Sequence, residues 1–163
     1  MAEKRPKIEH RRGYAFPFEK DKTYYLARGK ELHISPKKSR ELCRALQGMR
    51  LSEANDYLHE VEALRQPVPM KRFSNVAHKR GMAGARFPVG AAKQFLRILQ
   101  NAEENASFVK AGGKVDPDDL RIVSIAVSKG APIKGMMQRA MGNSGPWNEE
   151  TVNLQVILQE VEG

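Results

Sequence analysis

The sequence predicts an α+β fold: about three helices packed on a small antiparallel sheet, with a long protruding β-hairpin. Near the C-terminus, two stretches read as strands because their apolar residues recur with the two-residue period of a half-buried strand. Leu120 to Ser128 is β-branched, with Val123, Ile125 and Val127 on one face. In the second stretch Val152, Leu154, Val156 and Leu158 alternate with Asn153, Gln155, Ile157 and Gln159. In three segments between Pro36 and Ala106, apolar residues repeat at helical spacing instead.

In chain order, Met1 to Lys22 is a basic-leaning extension, with Arg11 and Arg12 in it and Tyr14, Phe16 and Phe18 around Pro17. It reads either as a disordered terminus or as a tail that orders on RNA with its aromatics free to stack. Residues 23–163 then form a single globular domain that includes the extended hairpin 120–161. Thr23 to Ile34 is a candidate third strand. Ser35-Pro36 opens the first helix, which carries Lys37, Lys38, Arg40 and Arg44 around Leu42, Cys43 and Leu46 and ends at Gly48. Ser52 caps a second helix with Ala54, Tyr57, Leu58, Val61 and Leu64 on its apolar side.

Pro67 and Pro69 break the chain, and Met70 to Arg86 is a basic, aperiodic loop. Pro88 starts the longest helix, striped by Val89, Ala92, Phe95, Leu96, Leu99, Ala102 and Ala106. Gly112-Gly113 lies past its end, and Asp116-Pro117-Asp118-Asp119 turns the chain into the first hairpin strand. Gly130 to Glu150, between the two strands, resembles neither strand nor helix. Its Ile133, Met136, Met137, Met141 and Trp147 lack a period that would seat them in a core. The hairpin is therefore expected to run past its own domain.

The chain has 163 residues and a formal net charge of +9, which makes a polyanion the first partner class. The charge is segregated. No acid occurs from Ala63 to Ala102 or from Leu120 to Asn148, whereas Lys71, Arg72, Lys79, Arg80 and Arg86 crowd the first stretch. Cations at the start of the first helix (Lys37, Lys38, Arg40) add to a helix dipole that already favours phosphate. In Lys71-Arg72-Phe73 and His78-Lys79-Arg80, cations are interleaved with groups able to stack, which suits irregular RNA. Inside the hairpin loop the cations are Lys134 and Arg139.

Catalytic chemistry finds no footing. His10, His33, His59 and His78 are scattered, and the single Cys43 permits neither an internal disulfide nor a zinc site at known spacings. There is no phosphate-cradling motif, and adjacent Glu103 and Glu104 diverge on a helix. No enzyme, cofactor or metal is expected. With no apolar run of membrane-spanning length and no apolar signal core, the chain is expected to be soluble and intracellular.

Several segments, taken in order, resemble a known family. They are Ile34-Ser35-Pro36-Lys37-Lys38, Pro67-Val68-Pro69, Phe87-Pro88-Val89 with Ala91-Ala92-Lys93, Asn101-Ala102-Glu103-Glu104-Asn105-Ala106, Asp118-Asp119-Leu120, Arg139-Ala140 and the closing strand. Together they are similar to the universal large-subunit ribosomal protein L-twenty-two family in its archaeal/eukaryotic form, with Arg65 to Arg86 resembling that branch in particular. The resemblance implies a cytoplasmic ribonucleoprotein role in translation, as a structural, rRNA-binding constituent of the large ribosomal subunit. Its implied partners are ribosomal RNA, neighbouring ribosomal proteins and the nascent polypeptide, with no membrane and no homo-oligomer. Arg11, Arg12, Lys37, Lys38, Arg40, Lys71, Arg72, Lys79, Arg80, Arg86, Lys134 and Arg139 would contact RNA. Met136, Met137, Gln138, Arg139 and Met141 would form a hairpin tip lining the peptide exit tunnel. This tip is less basic than the family pattern, with Asn143 following Gly142. The alternatives are a free RNA chaperone or regulator, and a protein-interaction module docking through the 130–150 loop.

Overall fold

The computed structural model describes residues 8–11, 13–20, 22–109 and 116–161. Their elements, in order, are β1 (Ile8–His10), β2 (Pro17–Glu19), β3 (Tyr24–Leu32), α1 (Pro36–Leu46), α2 (Leu51–Glu62), β4 (Val68–Pro69), β5 (Ala85–Arg86) and α3 (Val89–Val109). There follow a 3-10 turn (Pro117–Asp119), β6 (Leu120–Lys129), β7 (Met136–Gln138), β8 (Ser144–Pro146) and β9 (Val152–Glu160). The α+β expectation holds.

The central sheet is antiparallel, in the order β3-β9-β6. Tyr25, Ala27, Leu154, Val156, Leu158, Leu120, Ile122 and Ile125 are buried in the main core, together with Phe95, Ile98 and Leu99 of α3 and Leu42 and Leu46 of α1. Helix α3 lies directly on β3. A Cβ at Gly29 would come within 2.9 Å of a Leu32 methyl and 3.0 Å of an Ile98 methyl, so a larger residue here would have to push those side chains aside.

Strand β6 departs from the expected facing. Its register with β9 shifts between Ile122 and Ser124, which makes Val123 the extra residue of a β-bulge. Leu120 and Ile122 before the bulge and Ile125 after it are buried in the same core, and Val123 is only half-buried. A strict alternation through Val123, Ile125 and Val127 misses this change of phase.

Helix α1 starts where expected, with Pro36 at its first position, and α2 does not. Ser35 occupies the N-cap of α1 without a side-chain capping bond. Helix α2 begins two residues earlier than expected, with Arg50 as N-cap and Ser52 already inside it; the Arg50 amide donates to Glu53 Oε2 (3.4 Å). Leu64 lies past the helix end, exposed, with a positive φ of 59°. The turn at Asp116 to Asp119 is the 3-10 helix, and Gly112-Gly113 falls outside the described residues.

The N-terminal aromatics are not free. Antiparallel β1 and β2 bring Phe18 to 1 % exposure in a second apolar cluster with Tyr24 and Ile157, against which Tyr14, Phe16 and Leu26 pack. Phe18 meets the rings of Tyr14, Phe16 and Tyr24 edge-on at 6.2, 5.3 and 5.4 Å. This cluster includes Tyr24 and Ile157, whose neighbours in sequence, Tyr25, Val156 and Leu158, point into the main core.

The 130–150 segment is paired rather than structureless. The Gly130 amide donates to the Thr151 carbonyl (2.9 Å), and the buried Thr151 hydroxyl donates to the Ala131 carbonyl (2.7 Å). Ile133 and Glu149 exchange backbone bonds at 3.0 and 2.9 Å, and the Trp147 amide donates to Gly135 (2.7 Å). β7 pairs with β8, and the Arg139 amide donates to Asn143 (2.7 Å). Met141 and Gly142, at φ 60° and 70°, turn the chain at the end with the two left-handed residues of a type I′ hairpin. Among the described residues, no partner in the main core takes up its side chains: Ile133, Met136, Met137 and Trp147 are exposed, and Met141 is 97 % so.

Candidate nucleic-acid interface

Helix α1 presents its cations before any neutralising acid, since its first turn contains none. Lys37 and Arg40 are exposed and Lys38 is half-buried. Four residues on, Glu41 is only 2 % exposed and accepts from Arg44 Nη1 at 3.1 and 3.3 Å. The Lys71 amide also donates to Glu41, at 3.3 Å to Oε2. A buried carboxylate needs such partners, and here they come from its own helix and from the basic loop. Glu41 thus ties that loop to α1.

The loop is closed at its neck by β4 pairing with β5 and by the Met70 amide donating to Gly84 (2.9 Å). At its far end Lys79 and Met82 exchange backbone bonds of 3.0 and 2.9 Å around Arg80 and Gly81, both at positive φ. Lys79 and Arg80 therefore stand on a tight turn, exposed, and Arg86 is exposed on β5. Nearer the neck, Lys37 Nζ lies 4.6 Å from the centroid of the Phe73 ring and the Arg72 guanidinium carbon 5.6 Å from it.

These groups converge on a cavity of about 290 Å³ lined by Pro36, Lys37, Arg40, Glu41, Arg72, Phe73, Val127, Lys129 and Glu150. Three of the expected RNA contacts, Lys37, Arg40 and Arg72, share it with the root of the hairpin. Lys129 Nζ and Glu150 Oε1 pair across that root at 3.0 Å. Phe73 and Lys129 are not among the expected site residues. The Lys71-Arg72-Phe73 run hints at the first, and the end of β6 at the second.

The other expected residues lie apart. Arg11 stacks over Phe18, its guanidinium carbon 5.0 Å from the ring, beside the second cluster. Arg12 falls outside the described residues. Lys134, Met136, Met137, Gln138, Arg139 and Met141 are all exposed on the hairpin extension. Among the described residues, none of Lys37, Lys38, Arg40, Lys71, Arg72, Lys79, Arg80, Arg86, Lys134 and Arg139 forms an ion pair with a carboxylate. A set of unneutralised cations is suited to phosphate, whose binding releases condensed counterions.

Among the described residues, no group of His, Cys, Asp or Glu could hold a metal ion, and no helix is long and apolar enough to cross a membrane. Burial pushes the Cys43 thiol up to about 12, so it is protonated and unreactive near neutrality.

Comparison with known proteins agrees in one direction. The family model described as ribosomal protein L22p/L17e matches residues 27–159. The large ribosomal subunit protein uL22 of Methanococcoides burtonii is 46 % identical over 137 residues, covering 83 % of this chain and 88 % of that protein. The protein of the same description from Ignicoccus hospitalis is 45 % identical over 136 residues, 79 % of this chain and 83 % of its own. That from Methanocaldococcus jannaschii is 42 % identical over 138 residues, 82 % and 86 %.

Proposed function

The chain belongs to the ribosomal protein L22p/L17e family, and from that premise we propose that it binds RNA with one face and lines the nascent-peptide exit tunnel with its hairpin. It is a structural protein of the large ribosomal subunit and not an enzyme. Its globular part meets ribosomal RNA through Lys37, Lys38 and Arg40 of α1, through Lys71, Arg72, Lys79 and Arg80 of the loop, and through Arg86. Arg11 and Arg12 add contacts from the N-terminal side, and Lys134 and Arg139 follow the hairpin inward. Neighbouring ribosomal proteins and the nascent chain complete its partners.

One observation carries the tunnel reading. Backbone pairing continues from the central sheet to Arg139 and Asn143, while the side chains at the tip stay exposed. At roughly 3.3 Å per residue, the stretch from Gly130 to Arg139 spans about 30 Å. A hairpin of that reach, with an apolar and weakly basic end, suits contact with a passing polypeptide better than a grip on RNA. The test is a photo-crosslinking residue placed at Met141 in assembled ribosomes that carry a stalled nascent chain. An adduct with the nascent chain is the expected result. Adducts with RNA or other proteins alone would remove the tunnel reading. Failure of the protein to sediment with large subunits through a high-salt sucrose cushion would remove the RNA-bound reading as well.

A further inference from the structure

We propose that the cleft between α1, the 70–84 loop and the hairpin root holds one extruded RNA nucleotide, its base stacked on Phe73 and its phosphate met by Lys37, Arg40 and Arg72. The inference rests on the RNA-bound function proposed above and names a site within it.

Phe73 is 54 % exposed and has a φ of 58°, a left-handed conformation that a bulky L-residue adopts only when its surroundings enforce it. Two residues earlier, the Lys71 amide is held by the buried Glu41 carboxylate, which fixes the loop where the ring leaves it. Lys37 and Arg72 lie 4.6 and 5.6 Å from the ring centroid. A nucleotide offers that set of groups a flat π-face and an anion in one ligand. Stacking of single-stranded bases on aromatic side chains flanked by cations is a general mode of RNA recognition.

The remaining walls favour a base over bare backbone. Val127 supplies apolar surface, and Glu41 and Glu150 line the same cleft as the cations. Both carboxylates repel a phosphate pushed deep into the cavity, and Glu150, half exposed, also accepts an N–H group from the edge of a base. At about 290 Å³ the cavity is at the small end for ligand sites, which suits one base and excludes a duplex.

The test uses the full chain and deproteinised large-subunit ribosomal RNA, with affinity measured over a range of salt. Phe73→Leu is expected to bind about 5- to 150-fold more weakly, the effect of losing one stacked base. Its log–log salt slope should match that of the unaltered chain, because no charge is removed. Phe73→Trp should retain binding. Ultraviolet crosslinking of the unaltered chain followed by mass spectrometry should find a single nucleotide on the peptide containing Phe73. Unchanged affinity in Phe73→Leu, or an adduct that maps elsewhere, overturns the cleft while leaving RNA binding intact. If the unaltered chain binds no ribosomal RNA at low salt, the RNA-bound function falls and the cleft with it.

Discussion

Replacing Glu41 by alanine should both destabilise the domain and free the basic loop. The carboxylate is almost wholly buried, and the change removes its bonds from Arg44 and from the Lys71 amide. Arg44 is about half exposed and can rehydrate, so its share is discounted to ~0.5–1 kcal/mol. The Lys71 amide lies in an exposed part of the loop and regains water, which limits its loss to about 1 kcal/mol. Removing the one buried methylene, Cγ, and leaving a cavity in its place contributes about 1.5 kcal/mol more. The expected total is about 3 kcal/mol, or roughly 6–12 °C in melting temperature for a domain of this size. Glu41→Gln keeps the volume and an acceptor oxygen, and should cost about 1 kcal/mol. Thermal melting followed by circular dichroism measures the loss. Brief trypsin digestion reads the loop, where cleavage after Arg72, Lys79 and Arg80 should accelerate. A Glu41→Ala protein that melts within about 2 °C of the original and resists trypsin equally would refute the anchoring role, since ~3 kcal/mol cannot hide in so small a shift.

Three further outcomes are expected. Replacing Ala131 to Pro146 with an Asn-Gly turn should leave the melting temperature nearly unchanged, because the removed side chains bury little and a shorter connection costs less closure entropy; a large drop would place Met136 or Met137 in the core. Changing Lys71, Arg72, Lys79 and Arg80 together to glutamine should lower the log–log salt slope of ribosomal RNA binding by about three, with little effect on melting. An unchanged slope would mean that the loop does not face phosphate. Iodoacetamide at pH 8 should leave Cys43 unmodified until the protein is denatured. Because burial raises the folded thiol from 9.0 to about 12, its contribution to stability is complete below pH 9 and is lost as pH rises through about 12; fast alkylation of the native chain would contradict its burial.

The parts of the fold legible in the sequence are those governed by local period. Val152, Leu154, Val156 and Leu158 alternate because one face of β9 is buried, and the α3 stripe recurs because one side of that helix meets the sheet. Val123 was illegible because a bulge changes phase without leaving a composition signal. The packing of Phe18 was illegible for a different reason: its partners Tyr24 and Ile157 come from two strands far apart in the chain. The one hint was Ile157, an apolar residue among the polar positions of β9. In the candidate interface, the cations could be read from charge segregation, whereas their convergence could not. It depends on Glu41 meeting Lys71 across thirty positions, a long-range contact whose only trace is a single acid among the cations of α1.

The strand order has a consequence for synthesis. β9, the last strand to be made, is the middle strand of the sheet, with β3 and β6 on either side. Until it emerges, both neighbours lack the strand that lies between them and present open edges to its place, which invite pairing with other chains. The helices can form early, but the sheet on which they pack is closed by pairing Tyr24 with Gln159 across most of the chain. Such distant pairing slows folding. A chain cut short before Val152 would therefore keep its basic segments but lose the surface that organises them. Completion of the last few residues is what converts a cationic polymer into a protein of defined shape.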